Sequence, residues 1–480
     1  MRSTRAFGRV FVAAWFGLAA ALFGCDSPDA SGSGQTTEEA ERDWAGCSGH
    51  SLDAGAVEDA GGEASAIFPP IVVDTANSER GPVHGQCSLF MAVAALRNQA
   101  DYGGCTNASG ATTISLPAGI FDVSSGLMLS APTGRAFSVV GHGVDRTILD
   151  TNGSVSPAIE LDGVKITVSQ LTLRATRPKA PTTGIHLDKS AEVTLDHVRV
   201  TGFTRSGVWN TDATLIFNAC TVDGNSNPQF GGGLYQTAQD ATATPTTFVN
   251  YSTISGNRAS LGGGIYNLGY VNLMYSTIAG NTATGGKGGG IYLGQDYLET
   301  AHCTIAFNSA TASGLGGGIY IDPAIAINVH VNSSIVANNT ASSKAPDYSG
   351  LLRDPLTRIY DRDILGSAAG VTGGRGMVDI IGDPMLSGLA NHGGPTETCA
   401  VLTKSSPAVD ASRDFSATST RDQRFRCTPY GPAYDVGAFE WRPGPTPARR
   451  SILMVAAAFV LAAAILGLAA KFRRPHLANR

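Results

Sequence analysis

Acidic side chains that could act on a polysaccharide are concentrated between residues 188 and 223. Asp188, Asp196 and Asp223 are the candidate catalytic residues, and His186 and Arg199 lie near them in the sequence. Clustered aspartates can bind Ca²⁺ beside a basic side chain, as a polysaccharide lyase requires. Two close carboxylates can instead hydrolyse a glycosidic bond. This segment is therefore the place where the sequence would position catalytic groups.

The spacing of these residues favours a non-catalytic interpretation. Asp196 and His197 are neighbours in an extended segment, so their side chains are predicted to point to opposite faces and not to line one groove together. His186 and Asp188 are two residues apart and can share a face. The repeats that follow contain few acidic residues. We interpret these groups as solvated strand and turn residues and keep catalysis as the alternative.

A sequence repeat must position these residues. A triplet of glycines followed by Leu-Tyr or Ile-Tyr occurs four times, at residues 231–235, 262–266, 288–292 and 316–320. A second signature precedes each triplet and ends in an asparagine, and these asparagines recur every 24 to 32 residues. Periods in this range indicate a solenoid or an array of small units.

Each repeat has the composition of short strands. Segments such as residues 193–200 and 270–274 alternate β-branched or apolar residues with polar ones, which is typical of strands. No sustained helical pattern occurs between residues 137 and 340. The sequence therefore predicts an all-β fold, a right-handed parallel β-helix with coils stacked about 4.8 Å apart. The repeats are predicted to span residues 137–345.

The repeated asparagine occupies one place in every coil. Stacked coils would put these side-chain amides in a ladder along the solenoid axis, where they bond to one another and to turn backbone. A row of asparagines could also form a sugar-binding surface, and the tyrosines after the glycine triplets could be either packing or a ligand platform. We favour a structural ladder made of Asn225, Asn257, Asn281, Asn308 and Asn338.

Composition and charge exclude some classes of function. The chain has 480 residues, a formal net charge of −5 and 42% hydrophobic residues, so it is predicted to fold. No basic stripe occurs outside the two termini, and nucleic acid is therefore not predicted as a partner. No cysteine spacing indicates a zinc site, and we predict no cofactor.

Residues 1–25 are predicted to be an export signal. Three arginines precede an apolar run that ends at Gly24 and Cys25, as in a signal peptide. Residues 22–25 resemble the lipobox of bacterial lipoproteins, in which Cys25 would be acylated and become the new first residue. Ordinary signal cleavage is the alternative. Residues 26–65 are rich in small and acidic residues and are predicted to be a flexible tether.

A second membrane element is predicted near the C terminus. Residues 451–470 are an uncharged apolar stretch of 20 residues, long enough to span a bilayer as a helix. The proline-rich residues 443–450 form a linker into this stretch, and the basic tail at residues 471–480 favours a cytoplasmic end. The same features resemble the cleaved sorting signals of bacterial surface proteins, so retention and cleavage remain alternatives.

The ends of the solenoid require caps. Residues 66–136 are predicted to form an N-terminal cap and the first coil, with a short helix at residues 87–98 and Ser88 as its N-cap. Residues 346–442 are predicted to form C-terminal coils and an irregular cap, in which acidic residues bond to turns. An exported protein can keep disulfides. Two local pairs outside the repeats are candidates: Cys87 with Cys105, and Cys399 with Cys427.

Five motifs in the C-terminal region are arranged as in one known family. They occupy residues 382–386 (GDPML), 391–396 (NHGGPT), 406–410 (SPAVD), 420–424 (TRDQR) and 435–440 (DVGAFE). In that order and spacing they resemble the ending of the choice-of-anchor Q domain, a family of bacterial exported β-helix proteins with different C-terminal anchors.

This resemblance extends beyond the ending. Residues 87–123 resemble the CSLREA-type segment, and the glycine repeats are loosely similar to polymorphic outer-membrane proteins. The resemblance to the choice-of-anchor Q domain covers about residues 80–442. It implies surface display and an anchor after the β-helix, but it implies no reaction.

The sequence thus predicts an exported, membrane-anchored β-helix at the cell surface or in the periplasm, with a non-catalytic structural, adhesive or binding role. The membrane is its predicted partner, and a glycan or a surface protein is a further one. The alternative is a polysaccharide lyase or glycoside hydrolase that acts on cell-surface or environmental glycans.

Overall fold

The computed structural model describes fourteen segments of the chain: residues 69–76, 85–106, 108–130, 135–151, 156–177, 180–188, 191–239, 243–312, 314–323, 328–343, 345–352, 362–373, 379–413 and 420–443. Contacts divide the chain into two units, residues 1–440 and 441–480, and the first unit is described below. The predicted signal, the lipidation site Cys25, the tether and the predicted span at residues 451–470 lie outside the described residues. Within the described segments, no helix is both long enough and apolar enough to cross a membrane.

The described part of the first unit is a parallel β-helix, as predicted. One coil shows the path of the chain: Ile265–Asn267 belongs to one sheet, Tyr270–Met274 and Thr277–Ala279 belong to a second, and Thr282–Lys287 belongs to a third. The next coil repeats this order, and every strand pairs in parallel with its counterpart one coil away. The second sheet bends within each coil, so it has two halves.

The strands of the second sheet, called sheet A, are Ile71–Val72, Thr113–Ser115, Gly119–Asp122, Ala136–Val140, Thr147–Thr151, Lys165–Ala175, Glu192–Thr201, Thr214–Asn218, Thr221–Asp223, Thr246–Asn250, Thr253–Ser255, Tyr270–Met274, Thr277–Ala279, Tyr297–Ala301, Thr304–Ala306, Asn328–Asn332, Ile335–Ala337, Ile364–Leu365 and Ile380–Ile381. The strands of the first sheet, called sheet B, are Leu127–Leu129, Ile159–Asp162, Ile185–Asp188, Val208–Thr211, Leu234–Thr237, Ile265–Asn267, Ile291–Leu293, Ile319–Ile321, Tyr348–Leu352 and Val371–Gly373. The strands of the third sheet, called sheet C, are Ser226–Phe230, Arg258–Leu261, Thr282–Lys287, Ser309–Ala310 and Thr340–Ala341.

The core is a set of apolar columns inside the solenoid. Ile254 pairs in register with Val222 on one side and with Ile278 on the other, and all three side chains are buried. Because alternate residues of a strand point to opposite faces, the residues flanking each isoleucine point outward. The β-branched composition of the repeats therefore fills the interior with one apolar layer per coil.

The glycine triplets make the tight corners between sheet C and sheet B. The first glycine has a left-handed backbone, with φ of +62° at Gly262, which glycine adopts without a steric cost. The second has no room for a side chain, since a Cβ on Gly263 would lie 2.5 Å from the carbonyl oxygen of Gly289 in the next coil. One triplet thus supplies both a turn and a close approach of backbone.

The asparagines form a hydrogen-bonded ladder in the interior. The Nδ2 of Asn225 donates to the Oδ1 of Asn257, and the same bond continues through Asn281 and Asn308 at 2.9–3.1 Å. The fifth rung is Asn339, so the prediction of Asn338 is wrong by one position. Asn338 has a φ of +59° and occupies the left-handed position that Gly224, Gly256 and Gly280 hold in three other coils and Phe307 holds in the fourth. Asparagine tolerates the left-handed conformation better than most residues.

A short helix, α1 (Leu89–Asn98), covers the N-terminal end. Ser88 caps it by accepting a hydrogen bond from the backbone N–H of Met91 at 3.2 Å. Cys87 and Cys105 form a disulfide beside the helix. The other predicted pair is wrong: Cys399 is a free, buried thiol, and Cys427 is disulfide-bonded but not to it.

The region after the last coil lies along the side of the solenoid. Strands up to Ile380–Ile381 continue the β-helix, and Leu386–Ala390 then pairs antiparallel with Thr398–Val401. Residues 384–413 and 420–440, called the C-terminal cover, run back over the outer surface of the second half of sheet A. The predicted irregular cap is thus a lateral cover over several coils.

Hydroxyl groups on sheet A hold the C-terminal cover. The Oγ1 of Thr277 donates to Gln423 at 2.6 Å, and the Nε2 of Gln423 donates to the Oγ1 of Thr253 at 2.9 Å. The backbone N–H of Ala438 donates to the Oγ1 of Thr304 at 3.1 Å. These threonines point outward from the core, yet all three are buried. The cover therefore removes this face of the solenoid from solvent.

Candidate functional site

One column of outward-facing side chains on sheet B is mostly aromatic. The parallel strands are in register, so residues at the same place in successive coils become neighbours along the solenoid axis. Trp209 pairs with His186 on one side and with Tyr235 on the other. The full column consists of Met128, Glu160, His186, Trp209, Tyr235, Tyr266, Tyr292, Tyr320 and Ser349.

The C-terminal part of this column is internal packing. The rings of Tyr266 and Tyr292 are stacked with centroids 4.6 Å apart and planes 4° apart, and Tyr292 stacks on Tyr320 at 5.3 Å. Tyr292 and Tyr320 are only 6% and 5% exposed. Their ring faces cover one another, so these two tyrosines rigidify the sheet and offer little surface to a ligand.

The N-terminal part of the column is different, because its rings are tilted. The ring of Trp209 lies 4.8 Å from that of His186 with 43° between the planes, and 5.4 Å from Tyr235 with 33°. Tyr235 meets Tyr266 edge-on, at 62°. These side chains are half-buried. We call His186, Trp209, Phe230, Tyr235 and Tyr266 the aromatic cluster.

Phe230 belongs to a different sheet and lies beside the column. Its ring is 5.8 Å from Tyr235 and 4.7 Å from Tyr266. The strand that carries it, Ser226–Phe230, changes register against its neighbour between Asn227 and Phe230. This irregularity brings the phenylalanine to the edge of the column, at the place where regular stacking is interrupted.

Polar groups accompany the aromatic cluster. The indole N–H of Trp209 is buried and has no hydrogen-bond acceptor among the described residues. The guanidinium of Arg205 lies 5.8 Å from the Trp209 ring, within range of a cation–π interaction. Burial lowers the pKa of His186, although the carboxylates of Asp188, Glu160 and Asp162 oppose this shift. The His186 imidazole is therefore neutral near pH 7.

This combination suits the recognition of a sugar. Aromatic rings offer apolar area with a defined shape, and neighbouring N–H, O–H and carboxylate groups give direction to hydroxyl groups. The cluster follows the solenoid axis across consecutive coils, so its surface is long and narrow. Sequence reasoning identified the tyrosines that follow the glycine triplets but missed Trp209 and Phe230. The signal that could have identified the tryptophan is the dipeptide Val208-Trp209, which has the same pattern of an apolar residue and an aromatic one as Leu234-Tyr235 in the next coil.

The three predicted catalytic carboxylates are not brought together. Asp188 lies at the end of a sheet B strand, beside the aromatic column, whereas Asp196 and Asp223 lie on sheet A. Asp223 forms an ion pair with Arg199 at 2.7 Å. Its in-register partner on the neighbouring strand is Thr201, which lies five residues after Asp196, so Asp196 and Asp223 are not neighbours on sheet A. Among the described residues, no group of three His, Cys, Asp or Glu side chains could hold a metal ion.

The relation between Asp196 and His197 differs from the prediction. The two side chains are in contact, with His197 Nδ1 3.1 Å from Asp196 Oδ1. His197 occupies the bend between the two halves of sheet A and has a φ of +51°. A left-handed residue interrupts the alternation of a strand, so neighbouring side chains can converge. His197 also lies beside Phe425 of the C-terminal cover, which places this pair against the cover.

Comparisons with known proteins agree with the fold. Residues 183–350 match the family model described as "right handed beta helix region", which confirms the predicted fold class and handedness. The pectate lyase Pel9A is similar in structure, with a TM-score of 0.41 and 12% identity over 69% of this chain and 88% of that one. The alginate lyase AlyGC of family PL6 has a TM-score of 0.28 and 10% identity over 70% of this chain and 56% of that one.

The comparisons are limited to the fold. No curated protein matched the sequence. Nothing in them bears on the resemblance to the choice-of-anchor Q domain or to the CSLREA-type segment, which stays a prediction. The described part of the chain is a right-handed parallel β-helix with a lateral C-terminal cover on sheet A and an aromatic cluster centred on sheet B.

Proposed function

We propose that this protein is an exported, membrane-anchored β-helix that binds a glycan chain without cleaving it, and that the aromatic cluster on sheet B is the binding surface. The observation that carries the proposal is the group of tilted, half-buried rings that consecutive coils present along the solenoid axis. An extended polysaccharide lying parallel to this axis would meet a new ring in each coil.

The rest of the column supports such a role by making the surface rigid. Tyr266 is stacked on Tyr292, whose hydroxyl group donates to Asp322 at 2.7 Å. A binding surface whose side chains are already ordered loses less conformational entropy when the ligand binds. The aromatic cluster is therefore pre-organised by the packed tyrosines beside it.

The charge of the surface favours a neutral chain. The described strands of sheet B contain three acidic residues, Glu160, Asp162 and Asp188, and no lysine or arginine. The guanidinium of Arg205, which lies outside these strands, approaches the Trp209 ring, so acidic groups outnumber this basic group on the surface. A polyuronate would place a carboxylate in each repeat against this acidic surface, and like charges repel. We therefore expect neutral hexose or N-acetylhexosamine polymers to bind, and polyuronates to bind weakly.

Anchoring is the second part of the proposal. Acylation of Cys25 and the apolar stretch at residues 451–470 would hold the β-helix outside the cytoplasm, close to a membrane. The support is the sequence alone, together with the resemblance to exported families. A glycan-binding surface along the solenoid would then connect the envelope to a polysaccharide near it.

The test is a glycan array probed with the full-length protein in detergent, in parallel with activity assays on pectate and alginate. Trp209→Ala should weaken binding to the best neutral glycan by at least about tenfold, equivalent to ~1.4 kcal/mol. Tyr430→Ala is the matched control, since Tyr430 is 52% exposed on the C-terminal cover.

Two results would contradict the proposal. Binding that is equally strong in the Trp209 variant and in wild type would exclude the aromatic cluster as the site. Depolymerisation of pectate or alginate by the wild-type protein would instead favour the catalytic alternative.

A further inference from the structure

A concavity lies at the N-terminal end of the aromatic column. It has a volume of about 400 Å³ and lies between helix α1 and the first strands of sheet B. Its main lining residues are Phe90, Val93, Arg97, Met128, Pro157 and Glu160. Small-molecule sites usually have volumes of roughly 300–1,000 Å³, so this space is large enough for one sugar residue.

The periodicity of helix α1 explains why the concavity forms there. Leu89, Met91, Ala92, Ala95 and Leu96 point into the core and are buried. Phe90, Ala94 and Arg97 follow the i, i+4, i+7 pattern of the opposite helical face. That face overhangs the start of sheet B, where Met128 is 54% exposed. The result is an apolar floor that solvent can reach.

Two opposite charges face this floor. Arg97 supplies a guanidinium from the last turn of α1, and Glu160 supplies a carboxylate from sheet B. Within the described residues, neither side chain forms an ion pair or a side-chain hydrogen bond. Arg97 is exposed and Glu160 is half-buried, so both charged groups remain in contact with solvent. Both groups are therefore available to a bound molecule.

The concavity is continuous with the aromatic cluster. Glu160 is a lining residue of the concavity and also the column member that precedes His186, with which it pairs in register. His186 in turn packs against Trp209 at 4.8 Å. A chain that lies along the cluster would reach the concavity with its end, and α1 would prevent it from extending further.

We propose that the concavity binds the terminal residue of the glycan and that this residue carries a carboxylate, as sialic acids and terminal uronic acids do. The proposal rests on the glycan-binding function proposed above. Arg97 would hold the carboxylate with two parallel hydrogen bonds, the geometry in which guanidinium is strongest. Glu160 would accept hydrogen bonds from hydroxyl or amide groups, and the floor formed by Phe90 and Met128 would contact the apolar face of the sugar.

Arg97 is the arginine among the lining residues of the concavity, and Arg205 lies further along the column, beside the Trp209 ring. The sheet B surface beyond Glu160 carries Asp162 and Asp188, which disfavour further carboxylates along the glycan. The expected ligand is consequently a neutral chain with one acidic terminal residue. This pattern differs from that of pectate and alginate, in which every residue is acidic.

The experiment compares matched oligosaccharide pairs that differ only in a terminal sialic or glucuronic acid, bound to full-length protein in detergent. Wild type should bind the acid-terminated member about tenfold more tightly, as expected for a hydrogen bond to a charged group. Arg97→Gln should remove this preference, so that the variant binds the two members with equal affinity. Arg258→Gln is the matched control, because Arg258 is an exposed arginine on sheet C.

The possible outcomes separate the two proposals. Equal binding of both members by wild type, or a preference that survives in Arg97→Gln, overturns the terminal-acid inference while glycan binding stands. A wild type that binds neither member overturns both. Trp209→Ala should weaken binding of both members, and an effect of this variant on the acid-terminated member alone would also contradict the assignment of the two subsites.

Discussion

The side-chain amide of Asn339 donates a hydrogen bond of 3.0 Å to the carboxylate of Asp347. This bond ends the asparagine ladder. Every rung donates its Nδ2 toward the next coil and accepts on its Oδ1 from the previous coil. A further asparagine after the last rung would itself need an acceptor for its amide N–H groups. The ladder can therefore end at a side chain that only accepts hydrogen bonds. A carboxylate satisfies this requirement, and burial raises the pKa of Asp347.

Removal of this terminal acceptor should destabilise the solenoid. Asp347→Ala would leave the backbone N–H of Asn339 without its acceptor, whereas the Nδ2 would keep the carbonyl oxygens of Ile305 and Ala337. An unsatisfied buried donor costs about 1–3 kcal/mol. Asp347→Asn should cost less, because its amide oxygen can still accept both bonds. Urea unfolding of the two variants and wild type measures the difference. Equal stability of Asp347→Ala and wild type would show that the ladder needs no terminal acceptor.

The C-terminal cover should make stability depend on pH through Glu440. Desolvation, together with the nearby carboxylates of Asp435 and Asp422, raises the pKa of Glu440 from 4.5 to about 8. The folded state thus prefers the protonated form. The stabilisation is complete below about pH 4.5 and is lost as the pH rises through about 8, at ~1.4 kcal/mol for each unit of pKa shift.

Glu440→Gln tests this dependence, since glutamine cannot ionise. The free energy of unfolding of the variant, relative to wild type, should rise between pH 6 and pH 9, whatever the cost of the substitution at pH 6. Urea midpoints at several pH values give this difference. A difference that is constant across the range would mean that Glu440 is already ionised at pH 6 in the folded protein, as it is in the unfolded chain.

The glycine triplets should tolerate no side chain at their second position. Gly263→Val would place Cβ 2.5 Å from the carbonyl oxygen of Gly289 and 2.5 Å from the carbonyl carbon of Thr282. Both are backbone atoms that cannot rotate away, so we expect a loss of about 1–3 kcal/mol. Gly382→Ala is the control, because nothing lies within 4 Å of its added Cβ. Thermal unfolding of both variants should show a lower midpoint for Gly263→Val alone.

The proposed anchors predict a defined topology. Cys25→Ser should abolish labelling with a palmitate analogue and leave an uncleaved precursor, whereas normal processing of this variant would indicate an ordinary signal peptide. A tag placed after Arg480 should be shielded from protease in spheroplasts, because basic residues after a span favour the cytoplasmic side. If the mature protein lacks the tag, the segment at residues 451–470 is a cleaved sorting signal.

Local repetition made much of the fold predictable. Each coil repeats the same alternation of apolar and polar residues, and a one-residue shift would expose the core, so the periodicity alone indicates strands, corners and stacked coils. The same reasoning located the ladder from Asn225 to Asn308. It failed at the last rung, because Asn338 and Asn339 are adjacent and only the position of the left-handed corner distinguishes them.

The candidate site depended on contacts that no local pattern contains. The tilt of the Trp209 and Tyr235 rings comes from their neighbours in adjacent coils and from Phe230 of another sheet. The contact between Gln423 and Thr253 joins residues separated by 170 positions, and it places the C-terminal cover along the side of the solenoid. The sequence of each repeat determines which side chains point into the core and which point outward, because the two-residue alternation of a strand depends only on neighbouring positions. Only tertiary packing decided which outward surface is covered and which stays open to a ligand.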